Sequence, residues 1–269
     1  MVKVLKILGI KKSTFYYKRK VKTPNNNYKK EDEKIYNEIK KTFENEFNNY
    51  GYRKITVLLK NNGFHINKKK VYRIMKENNV LLKKKTSSIL LNKKFVNIRK
   101  MKAEKPLNCF QMDIKYIYIH SVKRNAFLLA VIDIFTRKIV SFKFAFSVTQ
   151  SDVCDCVHSF IKSESISHPF TIRTDNGPQF NSHSFAAFCS SFNINHEFTH
   201  FATPKEDAFI ESFFSIVQSD IVNRFFIDSF SLAFNLISDF IFHYNHFRPH
   251  SSLSYKSPVQ FISDFSAFL

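Results

Sequence analysis

Apolar positions along the chain follow two rhythms, and the change between them falls near residue 108. Ahead of it, Ile35, Ile39 and Phe43 recur every four residues among charged positions, which predicts an amphipathic helix over 31–47. Asn48-Asn49-Tyr50-Gly51 ends that pattern. A second helix over 52–60 would bury Ile55, Leu58 and Leu59, and Asn62-Gly63-Phe64 turns the chain. Asn67 can cap a third helix through Asn78, burying Val71, Ile74 and Met75. From Asn108 the period becomes two: Phe110, Met112, Ile114, Tyr116 and Tyr118 alternate with Gln111, Asp113 and Lys115. Apolar runs over 126–135 and 138–148, joined by Thr136-Arg137, make this the first of three meandering strands. A helix over 150–163, a strand over 170–174, a helix over 182–192 and a short strand over 195–199 follow. Thr203-Pro204-Lys205-Glu206 then reads as a helix start, with a Thr cap, Pro at the first position and Glu at the third. The tail carries one long amphipathic helix over 229–243.

Composition adds an asymmetry that the pattern alone does not show. The 269 residues are 44% hydrophobic and 24% charged, enough for a buried core, and the net charge is +20. Up to Lys105 there are 30 Lys and Arg against 8 Asp and Glu; beyond it there are 12 against 14. A codon bias toward lysine would not stop at one residue, so the excess marks a basic module that meets a polyanion. The partner expected is a nucleic acid, and a helix-turn-helix candidate within the basic part narrows it to double-stranded DNA. Cys109, Cys154, Cys156 and Cys189 show neither disulfide nor zinc spacing and read as free thiols. No apolar run approaches the roughly 20 residues that cross a bilayer, and the first residues are too basic for a signal peptide. A cytoplasmic, nucleoid-associated protein with no membrane partner is expected.

Within the basic part, the helices over 52–60 and 67–78 form a helix-turn-helix candidate. Its second helix would enter the major groove, presenting Lys68, Lys69, Lys70, Tyr72, Arg73 and Lys76. Lysines meet phosphate as point charges, and Arg73 is the one side chain there with a fork suited to a guanine edge. Lys83, Lys84 and Lys85 would track the DNA backbone in the linker that follows. At the front, an apolar turn ending at Gly9 and a second turn capped by Ser13 read either as a helix-turn-helix tail or as a basic arm. The stretch 22–30, with Pro24 and three asparagines, reads as a linker.

Three carboxylates stand out. Asp113 lies in mid-strand, Asp175 ends a strand just before Asn176-Gly177-Pro178, and Glu211 sits one to two turns into a helix, with 35 residues between it and Asp175. Acids from two strands and a helix suit two-metal phosphoryl transfer, because Mg²⁺ takes hard oxygen ligands and two such ions clamp an in-line displacement. The surrounding words are Gln111-Met112-Asp113, Arg173-Thr174-Asp175-Asn176-Gly177-Pro178-Gln179-Phe180, Thr203-Pro204-Lys205-Glu206-Asp207-Ala208 and Ile210-Glu211-Ser212-Phe213. Together they resemble the DDE transposases encoded by the second reading frame of frameshifting bacterial insertion sequences, in the retroviral-integrase superfamily. Tyr50-Gly51-Tyr52-Arg53 and Val71-Tyr72-Arg73-Ile74-Met75 resemble that family's DNA-binding module, and the tail from Tyr244 to Leu253 its closing motif.

The resemblance implies an α/β ribonuclease H-like integrase core, a five-stranded mixed sheet flanked by helices, preceded by an all-α helix-turn-helix module. Expected boundaries are a basic helical arm over 1–24, the helix-turn-helix over 25–82, a basic linker over 83–107, the core over 108–228, and a C-terminal helix and tail over 229–269. It further implies two Mg²⁺ ions, or Mn²⁺ in their place, held by Asp113, Asp175 and Glu211. The activity implied is cleavage at element ends and strand transfer into target DNA by a homo-oligomer, with an upstream-frame protein as a further partner. Asp133 reads as structural, and Asp207, one turn before Glu211, as a support for it. Gln218 stands where many members carry a cation, and Phe110 lies where many have Trp. Those departures leave open a decayed copy that only binds DNA; a nuclease for RNA–DNA hybrids is the other alternative. His243, His246 and His250 lack a fourth zinc ligand at suitable spacing and read as polar packing or DNA contacts, while His183, Cys189, His196 and His200 read as an incidental cluster.

Overall fold

The computed structural model describes residues 26–82, 101–200 and 206–267. The chain divides into two compact units; residues 46–49 belong to the second. The first unit is three helices: α1 (Asn26–Glu44), α2 (Tyr52–Asn61) and α3 (Lys68–Glu77). Ile35 and Ile39 of α1, Ile55 and Leu59 of α2, and Val71, Ile74 and Met75 of α3 share one apolar cluster. Asn67 caps α3 by accepting from the Lys70 amide at 2.9 Å. Helix α1 begins inside the expected linker and ends three residues early, at Glu44. Phe47 is in the second unit, edge-on to Phe240 at 5.8 Å.

The second unit is a five-stranded sheet in the order β3-β2-β1-β4-β5. Its strands are β1 (Cys109–Ile119), β2 (Arg124–Asp133), β3 (Ile139–Ala145), β4 (Phe170–Thr174) and β5 (Ile194–Phe198). The meander β1-β2-β3 is antiparallel; β4 then pairs with β1, and β5 with β4, both in parallel after helical crossovers. Helices α4 (Gln150–Ser163) and α5 (His183–Ser191) supply those crossovers. Their Val153, Val157, Phe160 and Phe185 pack with Phe110, Met112 and Ile172 on one face. Helices α6 (Ala208–Val217) and α7 (Phe230–His246) cover the opposite face, where Phe213, Val217, Ile237 and Phe240 meet Ile117, Leu128 and Ala130. Strand β2 is buried on both faces over its last six residues, which accounts for its unbroken apolar run.

Strand β1 departs from its expected single apolar face. Tyr116 and Tyr118 are 62% and 45% exposed, while Ile117 and Ile119 are buried. The two helical layers cover different ends of the strand on opposite faces, so the buried parity switches along it. A five-residue π-helical turn, Gln218–Val222, continues α6, and a last helix α8 (Pro258–Ser266) starts from a Ser257–Gln260 capping box; periodicity indicated neither. Buried Arg248 pairs with buried Asp220 of the π turn at 2.7 Å, and Asn49 donates to the same carboxylate. The arm over 1–24, the linker lysines Lys83, Lys84 and Lys85, and Thr203-Pro204-Lys205 lie outside the described residues.

Asp133 is fully buried and turned into the β2–β3 connection. Its carboxylate accepts from the Thr136 hydroxyl at 2.6 Å and from the amides of Phe135, Thr136 and Leu107. That explains the acid in an apolar strand: it replaces ladder bonds that a tight turn cannot make. Asp133→Ala should lower unfolding stability by about 2–3 kcal/mol, the cost of orphaning such buried donors, read as a shift in the urea midpoint.

Candidate functional site

The site forms where β1 and β4 run side by side. Their parallel register sets Gln111 against Arg173, so continuing it two residues puts Asp113 level with Asp175, just past the end of β4. Adjacent strands lie about 4.8 Å apart, and residues of like parity in a parallel pair point to one face. Here that face is the one covered by α6, which carries Glu211 in its first turn. Expected one to two turns into a helix starting at Thr203, Glu211 instead sits in the opening turn of one starting at Ala208. Glu206 is not its third residue: it is buried, and its carboxylate takes the His200 amide at 3.0 Å and the His200 ring at 2.8 Å.

What holds α6 against the strands is Gln111, fully buried two residues before Asp113. Its amide nitrogen donates to the Glu206 carbonyl at 2.7 Å, and its oxygen accepts from the Phe209 and Ile210 amides, both at 3.1 Å. Those amides belong to the first turn, which has no intrahelical acceptors for them. Arg173, 1% exposed on β4, bonds Glu197 of β5 at 2.7 Å and reaches the same Glu206 carbonyl at 3.4 Å. Two buried polar side chains, each two residues before a site acid, thus fix the start of the helix that bears the third. Sequence reading quoted both residues without giving them a role. The available signal was a polar side chain at a strand position that the sheet covers on both faces.

The acids sense one another. Burial pushes the Asp113 carboxyl up to about 7, against the Ile114 amide that donates to it at 2.7 Å; Asp175, Asp207 and Glu211 push the same way. Asp207 is raised to about 6, chiefly by burial, with Arg173 and Thr199 opposing and Glu211 and Asp175 adding. Glu211 is raised by burial. Asp175 is exposed, and its Oδ1 accepts from the Gly177 amide at 2.9 Å. Among the described residues no three His, Cys, Asp or Glu side chains are gathered closely enough to hold a metal ion as they stand, and this applies to both histidine groups too. The donor set is nonetheless all carboxylate, as a hard divalent ion requires. Lys115, on the same face two residues past Asp113, is half-buried, and that burial lowers its pKa. The Gln218 amide donates to Asn223 at 2.8 Å.

In the first unit, the ion pairs of α3 divide the cations named above. Arg73 is engaged by Asp32 at 2.6 Å and by Glu77 at 3.0 Å, and Lys70 by Glu31 at 2.9 Å. The one arginine fork is therefore committed within the unit. Lys68, Lys69 and Lys76 are exposed and make no ion pair among the described residues, and Tyr72, 42% exposed, stands edge-on to Tyr52 at 5.2 Å.

Two outcomes follow from this geometry. A Cβ at Gly177 would come within 2.9 Å of Asp175 Oδ1. Gly177→Ala should therefore move the carboxylate while leaving the melting temperature nearly unchanged, and lower any strand cleavage about 10²-fold, as a misplacement near 1 Å does. Because folding raises the Asp113 pKa from 3.8 to about 7, its contribution is present at acid pH and is lost as pH rises toward 7. Metal-free wild type should lose stability between about pH 4 and 7 more steeply than Asp113→Asn, as denaturant midpoints across that range would show.

Comparison with known proteins accords with this architecture. The integrase core domain family matches residues 103–204, a second integrase core domain family matches 192–258, and an HTH-like domain matches 30–86. The transposase for insertion sequence element IS904 of Lactococcus lactis is 28% identical over 86% of this chain and 94% of its own length. The putative transposase InsK for IS150 of Escherichia coli is 25% identical over 96% and 92%. An uncharacterized 39.2 kDa protein of insertion element IS476 from Xanthomonas euvesicatoria is 29% identical over 80% of this chain, which spans 61% of that protein. In fold, the chain is similar to a chain of a simian T-cell lymphotropic virus intasome, with a TM-score of 0.50 and 18% identity over 79% of this chain and 70% of that one. With an HTH-like domain match ahead of two integrase core domain matches, this chain is similar to the transposases of bacterial insertion sequences over most of its length.

Proposed function

We propose that the second unit cuts DNA at the ends of an insertion element and joins them to a target, with Asp113, Asp175 and Glu211 holding two Mg²⁺ or Mn²⁺ ions. The observation that supports this is the register: continued two residues beyond the Gln111–Arg173 pair, it sets Asp113 level with Asp175 just past β4, and Glu211 lies in the first turn of the helix that packs on the same sheet face. When bound, two divalent ions supply positive charge at the attacking and leaving oxygens of an in-line displacement. Everything else is positioning. Gln111 and Arg173 fix α6, the Gly177 amide aims Asp175, and the reacting groups are a water at the first phosphodiester and the freed 3′-hydroxyl at the second.

The first unit would hold the element end through α3, with Lys68, Lys69 and Lys76 on phosphate and Tyr72 near the groove. Lys70 and Arg73 reach DNA only by giving up their acidic partners. Lys83, Lys84 and Lys85 would extend the phosphate contacts. The active form would be a homo-oligomer acting in the bacterial cytoplasm at the nucleoid, with an upstream-frame protein as a further partner. Among the described residues no helix is long and apolar enough to cross a membrane.

Asp175→Asn should abolish metal-dependent nicking and joining of an end-containing duplex while leaving end binding within about twofold, in gel-shift and cleavage assays. Unchanged cleavage by that variant would refute the triad. Retained binding without cleavage by wild type would instead favour a chain that only binds DNA. Binding should also weaken steeply with salt, and Lys68→Ala or Lys69→Ala should each reduce the slope of log K against log salt by about 1.

A further inference from the structure

Asp207 occupies the cap position of α6 and does not cap it. Asp is among the best residues for that position, where its carboxylate normally accepts from the second or third helical amide. Here those amides, of Phe209 and Ile210, are already taken by Gln111 across the sheet edge. The Asp207 carboxylate is thereby free to turn elsewhere. The residue is only 8% exposed, and its Oδ1 is shielded from solvent with no hydrogen-bond partner among the described residues. Thr199 hydrogen-bonds the carboxylate, yet leaves that oxygen unmet. Arg173 supplies opposing charge, but its Nη2 and Nε serve Glu197 and its Nη1 reaches the Glu206 carbonyl. A buried, bare carboxylate oxygen is costly unless a cation meets it. The charges that face Asp207 besides Arg173 are Glu211, Asp175 and Asp113, the acids of the proposed site.

We propose that Asp207 is a fourth carboxylate ligand of the divalent ions at this site, released for that role because Gln111 caps α6 in its place. The inference rests on the triad reading above. The acids do not close on one point as they stand, so binding must draw Asp207 and its neighbours inward. The competing account is that Asp207 only balances Arg173.

Mn²⁺ binding to the full chain, followed by electron paramagnetic resonance of free Mn²⁺ without DNA, separates these accounts. Asp207→Asn should weaken Mn²⁺ at least about tenfold, as should Asp113→Asn and Asp175→Asn. Asp207→Cys should weaken Mn²⁺ and gain Cd²⁺ affinity relative to wild type, because a thiolate prefers the softer ion. A folded Cys variant with no Cd²⁺ gain overturns ligation even where the Asn variant is weakened, since lost charge alone would weaken it. Mn²⁺ binding by Asp207→Asn within about twofold of wild type, with a lower melting temperature, would establish the countercharge account. In either case, weakening by Asp113→Asn and Asp175→Asn would leave the triad reading standing. Should none of the three Asn variants change Mn²⁺ binding, the triad reading falls with the inference.

Discussion

The second unit depends on one buried amide. Gln111 is held between the Glu206 carbonyl and the first free amides of α6, and it sits on the strand that carries Asp113. A hydrogen bond in such a place adds about 1 kcal/mol, but each orphaned partner would cost about 1–3 kcal/mol. The arrangement is therefore stiff in the directions that matter: the helix can neither slide along the strand nor turn about its axis without breaking three bonds. Arg173 repeats the device from β4 and ties in β5 through Glu197. The acids themselves contribute no such rigidity. Burial and mutual repulsion raise the pKa of Asp113 and Asp207 and disfavour their charged forms, so their position is imposed by neighbours.

The first unit shows the opposite use of charge. Its net positive excess suggests cations pointing uniformly outward, yet Lys70 and Arg73 are drawn back to Glu31, Asp32 and Glu77. Pairs this exposed contribute little to stability, about 0–1 kcal/mol. Their effect is on availability: the arginine best shaped to read a base is occupied, whereas Lys68 and Lys69 at the start of α3 are not.

Most of the elements were legible because burial in this fold is periodic. The helix over Gln150–Ser163 and the strand over Phe170–Thr174 were placed to the residue, since each is bounded by a clear cap or turn. Asp113 and Asp175 could be put on a strand and at a strand end for the same reason. Three things escaped the pattern. The parity of β1 switches because two helical layers cover its opposite ends, and alternation along one strand cannot show where its neighbours stop. The Glu206 carboxylate matched a capping box locally but is used by His200 instead. The roles of Gln111, Arg173 and Asp32 rest on hydrogen bonds between positions from 24 to 99 residues apart, a distance over which periodicity carries no information.

The start of α6 has one more consequence. A helix N-terminus carries roughly half a positive charge, and that of α6 has Asp207 at its cap position and Glu211 in its first turn. That fixed dipole offsets part of the repulsion among the acids before any ion arrives.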